Sequence, residues 1–432
     1  MDILSIIQKK RDKLNLNENE INFFINAYTK TKEITDYQAA ALLMAIYING
    51  LNDAETYYLT KAMLNSGKTI DFEGIDDIII DKHSTGGVGD KVSLILLPIC
   101  VACGIKVAKI SGKGLGHTGG TIDKLESIGV DTNLQGNEYL EILKKTGMFI
   151  MGQTKDLVPA DKLLYDLRNA TNTVNSLPLI AASIVSKKIA LKTDYIFLDV
   201  KVGDGAFCSN YKQAMQLSKI MMNLFKKFKR NALIHITNMD QPLGKAIGNA
   251  IEIKNAIEFL KGNPADEKIK KLIEQFAIDI LIETKKAKNE TEALNKVHEV
   301  IKNRSALNAF KTWAIAQKAD PNVFDSNFFL PKYSKEIRSK RDGYIKYQST
   351  KEIGLIVFYL GAGRIKKSDD VDFQAGVMLN KIKNDFVKKG DLIATLYSSK
   401  PINDKTIKAF EDNIIYSNKE FQEYPIILSV FK

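Results

Sequence analysis

Two short stretches concentrate the groups that could do chemistry. Ser84-Thr-Gly-Gly-Val-Gly-Asp90 and the segment Gly112 to Gly120 together hold eight of the chain's 27 glycines. Lys82, Ser84, Ser93, Ser111 and Thr121 flank them. Glycine lets backbone N–H groups approach a bound group closely and tolerates positive φ. A glycine loop that opens onto a helix gathers unpaired N–H donors at the positive end of the helix dipole. One cation and four hydroxyls around such donors suit a small tetrahedral oxyanion better than a long polyphosphate. The alternative is that the glycines only make tight turns and the hydroxyls only cap helices. Two tandem loops with the same decoration weigh against it. Neither is a Walker loop, because no Gly-Lys-Ser/Thr follows at that spacing. Neither fits the dinucleotide fingerprint, which argues against NAD.

A second polar group interrupts the apolar pattern between Pro159 and Lys188: Tyr165, Arg168, Ser183, Lys187 and Lys188. The four-residue step from Ser183 to Lys187 puts both on one helix face. Tyr165 is either a packing residue or part of a site, and Lys201 is either an ion-pair partner or part of a site. His117, His235 and His298 read as structural, and four histidines leave little material for a zinc site. The three cysteines exclude a disulfide scaffold and fit a reducing cytosol. Cys100-Val-Ala-Cys103 has redox spacing, but it lies inside the apolar run Val92 to Ile105 and reads as a pair of packing thiols.

The elements that must position these groups follow from the pattern. Ile75 to His83 reads as a strand, then come the first loop and an apolar helix, Val92 to Ile105. Lys106 to Ser111 is a second strand, followed by the second loop and a helix from Ile122 to Ile128. Strand, loop, helix, repeated, predicts a parallel α/β sheet, which Tyr195–Val202 and Ala232–Thr237 continue. Both loops then lie at the carboxyl ends of neighbouring strands, where open α/β sheets bind ligands.

The first 65 residues read as helices, with capping pairs Asn17/Glu20, Thr35/Gln38 and Asn52/Glu55. Pro159 to Lys188 makes one or two more, and about 265–318 is helical. Pro331 to Gly343 reads as a basic linker. Alternating segments at Gly354–Leu360 and Asp391–Tyr397 predict a small β-rich domain. The expected fold class is α/β: an all-helical domain (1–66 and 159–190) plus a large mixed or parallel-sheet α/β domain (70–155 and 194–330), with a small C-terminal α+β domain (340–432). Hinges are expected near Ser66-Gly67, Thr154 to Val158 and Leu191 to Thr193.

Composition bounds the rest. The chain has 432 residues with 45% hydrophobic and 26% charged, ordinary for globular proteins. The net charge of +11 suits anionic ligands but comes without a block of consecutive basic residues, so no nucleic-acid tail is expected. The N-terminus lacks a signal-peptide core. The longest apolar stretch, about 14 residues, is too short to span a bilayer. A cytoplasmic protein is expected, with no membrane and no nucleic-acid partner.

Asp81-Lys-His-Ser-Thr-Gly-Gly-Val-Gly-Asp90 and Ser111-Gly-Lys-Gly-Leu-Gly-His-Thr-Gly-Gly-Thr-Ile-Asp-Lys-Leu-Glu126 resemble the thymidine phosphorylase and pyrimidine-nucleoside phosphorylase family. So do Ala160-Asp-Lys-Leu-Leu-Tyr-Asp-Leu-Arg168, Ser183-Ile-Val-Ser-Lys-Lys188, Asp199-Val-Lys-Val-Gly-Asp-Gly-Ala-Phe207 and Gln241 to Asn249. The resemblance covers nearly the whole chain. It implies phosphorolysis: a pyrimidine nucleoside (uridine, deoxyuridine or thymidine) and inorganic phosphate give the base and a pentose 1-phosphate. By the same resemblance Lys82, Ser84, Ser93, Lys109, Ser111 and Thr121 hold phosphate. Tyr165, Arg168, Ser183 and Lys187 hold the base. His83, Arg168 and Lys187 are catalytic, with His83 protonating or hydrogen-bonding the base O2. Cations at the base oxygens stabilise the negative charge that develops there. A homodimer through the helical domain is implied, and the apolar face of Tyr37 to Ile48 agrees.

Three features depart from the family's usual pattern. Lys113 stands in the second loop where members often have Arg, a charge-conserving swap that would lose a bidentate contact. Lys109 stands where strict thymidine phosphorylases tend to have Met, which implies broad sugar specificity. Some relatives bind a structural K+, whose matching positions are Gly89, Lys91, Leu243, Ala246 and Asn255. An ammonium at 91 and the loss of a carboxylate at 255 should disfavour a metal ion, so the expectation is that Lys91 substitutes for it and that no cofactor is required. Two other functions compete. An anthranilate-phosphoribosyltransferase-like enzyme would need magnesium and an acidic pair beside the loops. A non-catalytic polyanion or RNA binder would need basic patches interleaved with exposed aromatics.

Overall fold

The computed structural model describes every residue except 115–118, 326 and 365–368. The reading of His117 therefore lies outside the described residues. The centre is a six-stranded sheet. Five strands run parallel: β1 (Ile79–Ser84), β2 (Lys106–Ser111), β3 (Met148–Gly152), β4 (Tyr195–Val202) and β5 (Asn231–Asn238). Their order is β5-β4-β1-β2-β3, and the strand Ile427–Phe431 adds antiparallel to β5 at one edge. The order changes direction between β1 and β4, so a crevice opens beyond their carboxyl ends. That crevice is where the first glycine loop sits.

Both faces of the sheet are covered, as a parallel sheet requires. Val92–Ala102, Glu267–Glu283, Glu290–Lys302 and Ser305–Ala316 pack one face around Phe276, Phe310 and Trp313. Leu177–Ala190 and Tyr211–Lys227 pack against the other face. Four helices open the chain (Ile3–Arg11, Glu18–Asn26, Asp36–Asn49 and Asp53–Leu64), and each expected capping pair forms a capping box. Their apolar faces share one core with Leu164 and Leu179 from the helices Pro159–Ala170 and Leu177–Ala190. No helix among the described residues is long and apolar enough to cross a membrane.

The expected hinge segments lie side by side. Lys68 pairs with Leu157 and Ile70 with Leu191 as isolated parallel bridges. A Cβ on Gly67 would come within 2.2 Å of the Asp156 carbonyl, so only glycine fits where these connections cross.

Three segments differ from expectation. Gly354–Leu360 is not a strand: Thr350–Val357 is a helix that continues as one wider turn to Ala362. Ile353, Ile356, Val357 and Leu360 are all buried, at the spacing of a helix face. Pro331–Gly343 is not a linker: Tyr333–Arg338 is an edge strand paired with Leu392–Ser398. Its polarity reflects that edge position, with only Ile337 buried. The strand Ile427–Phe431 leaves the C-terminal residues to join the central sheet. In the C-terminal part, a three-stranded and a four-stranded antiparallel sheet form, and the latter borrows Ala246–Gly248 from the α/β region.

Candidate active site

The end of β1 alternates its side chains between two faces, as a strand must. Lys82 turns toward the Phe276 ring, 5.5 Å away. Asp81 turns the other way and pairs with Lys188 at 2.9 Å. Lys188 also donates to the Ile110 carbonyl, which fixes the helix Leu177–Ala190 directly over β1 and β2. Lys109, on β2, donates to the Lys82 carbonyl. On β4, Asp199 accepts a bond from Thr237 Oγ1 and lies 2.7 Å from the Lys201 ammonium and 3.8 Å from that of Lys82.

Lys82, Lys109, Lys188 and Lys201 are thus four buried ammonium groups, set against the buried carboxylates Asp81 and Asp199. Burying charge without a partner is costly. Desolvation depresses Lys82 and lowers Lys109 to about 7. The Lys82 ammonium has no hydrogen-bond partner among the described residues. An anion is the natural complement of such a cluster.

The first glycine loop runs across the switch point. Thr85 N donates to the Asp199 carbonyl, and Lys201 N donates to Thr85 Oγ1. Ser84 Oγ donates to Asp90 at 2.5 Å. Burial pushes the Asp90 carboxyl up, but Lys201, Lys82, Lys124 and the Ser84 bond together hold it well below the usual range. Ser93 is buried in the first turn of Val92–Ala102. Ser111 ends β2 and Thr121 opens the helix Thr121–Glu126.

Lys124 ties the two loops together. It sits on the helix that the second loop opens onto, donates to the Asp90 carbonyl at 2.7 Å and pairs with Glu252 at 2.7 Å. Asp123 accepts from Gly114 N and from Arg364 of the C-terminal part. Gly120 is required by close approach: a Cβ there would lie 2.0 Å from Gly114 N.

The second polar group assembles beside the first. Lys187 donates to Ser183 Oγ at 2.9 Å, one helical turn back, and to the Asp161 carboxylate from the helix Pro159–Ala170. Arg168 is buried and its three nitrogens donate to the carbonyls of Thr173, Val174 and Leu179. Three of its five N–H groups thus brace the turn between the two helices, and among the described residues the other two have no acceptor. Tyr165 stays 38% exposed with Arg168 over its ring.

His83 lies between the two groups. Burial first, then Lys188, Lys109, Lys187 and Lys82, hold its imidazole well below its ordinary range. It is therefore neutral near pH 7 and offers a hydrogen bond rather than a proton. His235, read as structural, bonds Asp279 at 2.6 Å and stacks on Phe276. Cys100, Cys103 and Cys208 are free, and burial raises all three thiols, as packing thiols require.

Sequence reasoning missed Asp90, Lys124, Asp161, Asp199 and Arg364. All but Arg364 lay inside quoted motifs, yet each acts through a partner distant in the chain. Of the expected potassium positions, Gly89, Lys91, Leu243 and Ala246 come together, with a different occupant. The buried Lys91 ammonium donates to the Gly89 and Leu243 carbonyls, both at 2.7 Å. These residues do not fit a metal ion beside them.

The chain matches three family models in order: "Glycosyl transferase family, helical bundle domain" over residues 4–67, "Glycosyl transferase family, a/b domain" over 76–307, and "Pyrimidine nucleoside phosphorylase C-terminal domain" over 344–417. It is 50% identical over 410 residues to a protein of Mycoplasmoides pirum named thymidine phosphorylase, covering 94% of this chain and 98% of that one. It is 44% identical over 417 residues to the pyrimidine-nucleoside phosphorylase of Bacillus subtilis strain 168, covering 96% of each. Among solved structures, anthranilate phosphoribosyltransferase from Thermus thermophilus superposes with a TM-score of 0.58 at 17% identity, over 74% of this chain and 100% of that one. That likeness shows the fold alone.

Proposed function

The chain belongs to the glycosyl transferase family that includes the thymidine and pyrimidine-nucleoside phosphorylases, and on that premise we propose how its residues carry out the reaction. The enzyme is a pentosyltransferase. It converts a pyrimidine nucleoside and orthophosphate, reversibly, to the free base and a pentose 1-phosphate. Uridine, deoxyuridine and thymidine are all taken as substrates, with Lys109 in place of Met at the sugar side.

The observation that carries the reading is the adjacency of two subsites in one crevice. On one side, the buried lysines under the stapled glycine loops call for an anion. On the other, Lys187, Ser183 and the remaining N–H groups of Arg168 offer donors to a planar, oxygen-bearing ring. Phosphate sits over Lys82, Ser84, Ser93, Lys109, Ser111 and Thr121. The base lies against Tyr165, Arg168, Ser183 and Lys187.

Attack of a phosphate oxygen at C1′ breaks the bond from C1′ to the base nitrogen. The bonding pair goes to the base, and the proton of hydrogenphosphate ends there. Negative charge grows on the base oxygens, where Lys187 and Arg168 stabilise it. Neutral His83 adds a hydrogen bond at O2. Holding both reactants in line supplies much of the remaining acceleration. No electrons change hands, so no redox cofactor enters.

The three adjacent connections between helices and sheet are the hinges across which the crevice closes. Exposed Tyr37, Met44, Tyr47 and Ile48 on the helix Asp36–Asn49 supply the contact for a homodimer. The unpaired cysteines fit a cytoplasmic setting. Incubation with uridine and orthophosphate tests the function. Uracil and ribose 1-phosphate should appear in equal amounts, and base release without phosphate, or none at all, would refute it.

A further inference from the structure

We propose that Lys91 is a built-in monovalent cation: its ammonium does the work of a bound metal ion, tying the first glycine loop to the turn at Leu243. Lys91 is fully buried, immediately before the helix Val92–Ala102. A buried ammonium must spend its donors inside the protein. Two go to carbonyl oxygens, Gly89 and Leu243, 152 residues apart in the chain for the second.

The surroundings are shaped for a small cation. Gly89 has φ +77, and a Cβ on it would lie 2.8 Å from the Leu243 carbonyl and 3.5 Å from that of Ala246. A Cβ on Gly244 would lie 3.1 Å from the Lys91 ammonium. Backbone oxygens thus crowd a point that a positive charge occupies. The position is adverse by itself, because a helix N-terminus repels cations. Carbonyl oxygens on both sides compensate. Burial lowers the Lys91 ammonium to about 8, and the carboxylate that does most to offset this is Glu252, which also holds Lys124 and Gly248 N. The tether therefore joins the same network that staples the two glycine loops. Lys91 touches no reactant, so it is a positioning residue, acting on how Ser84 to Asp90 presents its N–H groups.

The inference rests on the phosphorylase reading only for its activity readout, and melting temperature tests it independently. Wild-type protein in choline chloride should have the same Tm and the same phosphate KM, within twofold, as in potassium chloride. Lys91→Ser opens a cavity bounded by carbonyls. In choline its Tm should fall and its phosphate KM should rise at least tenfold, while nucleoside KM changes little. Potassium or ammonium chloride should restore both. Crystals of Lys91→Ser soaked in rubidium chloride should show an anomalous peak against the Gly89 and Leu243 carbonyls. A wild type that needs potassium for stability would overturn the proposal even if the variant fails to fold. So would a Lys91→Ser protein indifferent to every cation. Loss of activity in all proteins with the Tm response intact would instead refute the phosphorylase reading.

Discussion

Lys124 donates its ammonium proton to the Asp90 carbonyl at 2.7 Å, and that bond joins two glycine loops that follow different strands. The bond makes one anion cradle out of two loops. Lys124→Met should raise the phosphate KM at least tenfold and leave the nucleoside KM within about threefold. The loss corresponds to about 1.5–3 kcal/mol, the usual worth of a hydrogen bond from a charged donor. Initial-rate kinetics with each substrate varied in turn would show the split.

Gly120 is where the second loop folds back on itself. A methyl group would meet Gly114 N at 2.0 Å, a contact that only backbone movement can relieve. Gly120→Ala should cost about 1–3 kcal/mol of stability through this overpacking. It should weaken phosphate binding more than nucleoside binding. Urea denaturation and phosphate titration measure the two effects.

Phosphate binding should take up protons. Lys109 has its ammonium lowered to about 7 by burial, so at pH 8 most copies of the empty site carry a neutral amine there. An arriving anion favours the charged form and raises that value. Calorimetry at pH 8 in two buffers of different ionisation enthalpy should therefore show uptake of a fraction of a proton. The uptake should shrink toward pH 6, where the amine is already protonated, and vanish in Lys109→Met.

His83 stays neutral, so its contribution is a hydrogen bond. His83→Gln, which keeps a donor, should lose about tenfold in kcat/KM, in line with one neutral hydrogen bond. Loss of a proton donor would instead cost about 10²–10⁴-fold. The wild-type pH profile should lack an imidazole titration between pH 6 and 7, and His83→Gln should have the same profile shape.

Arg168 and Lys187 should fail differently. Lys187→Gln can still bond Asp161 and Ser183 but leaves the buried Asp161 carboxylate without its cation, so its Tm should fall, less than in Arg168→Ala, while kcat falls about 10²–10³-fold, as for removal of a donor to developing charge. Arg168→Ala removes a charged donor from the carbonyls of Thr173, Val174 and Leu179, of which Val174 keeps the Ser176 N–H, and so loosens the turn between the two helices. It should lose both stability and activity.

What was legible in the sequence was local. The capping boxes at Asn17, Thr35 and Asn52 close within three residues, and Ser183 meets Lys187 one turn away. The glycine loops announced themselves by density. The misread segment Gly354–Leu360 is short and almost wholly apolar, so its period was masked until Ile353, Ile356, Val357 and Leu360 turned to one core. The partners that tune the site are long-range: Asp161 is 26 residues from Lys187, and Arg364 is 241 from Asp123. Residue type alone cannot pair them. The same limit hid the bracing role of Arg168, whose acceptors are backbone carbonyls and carry no signature in the side chains.

The claim at the centre is that the two loops form one site for orthophosphate. Arsenate has the same shape and charge, and arsenic scatters anomalously, so crystals soaked in arsenate locate it without ambiguity. The account predicts one strong peak between Ser84–Asp90 and the second loop, within hydrogen-bond reach of Lys82 or Lys109 and of Ser84, Ser111 and Thr121. A peak elsewhere, with both loops empty, would contradict it.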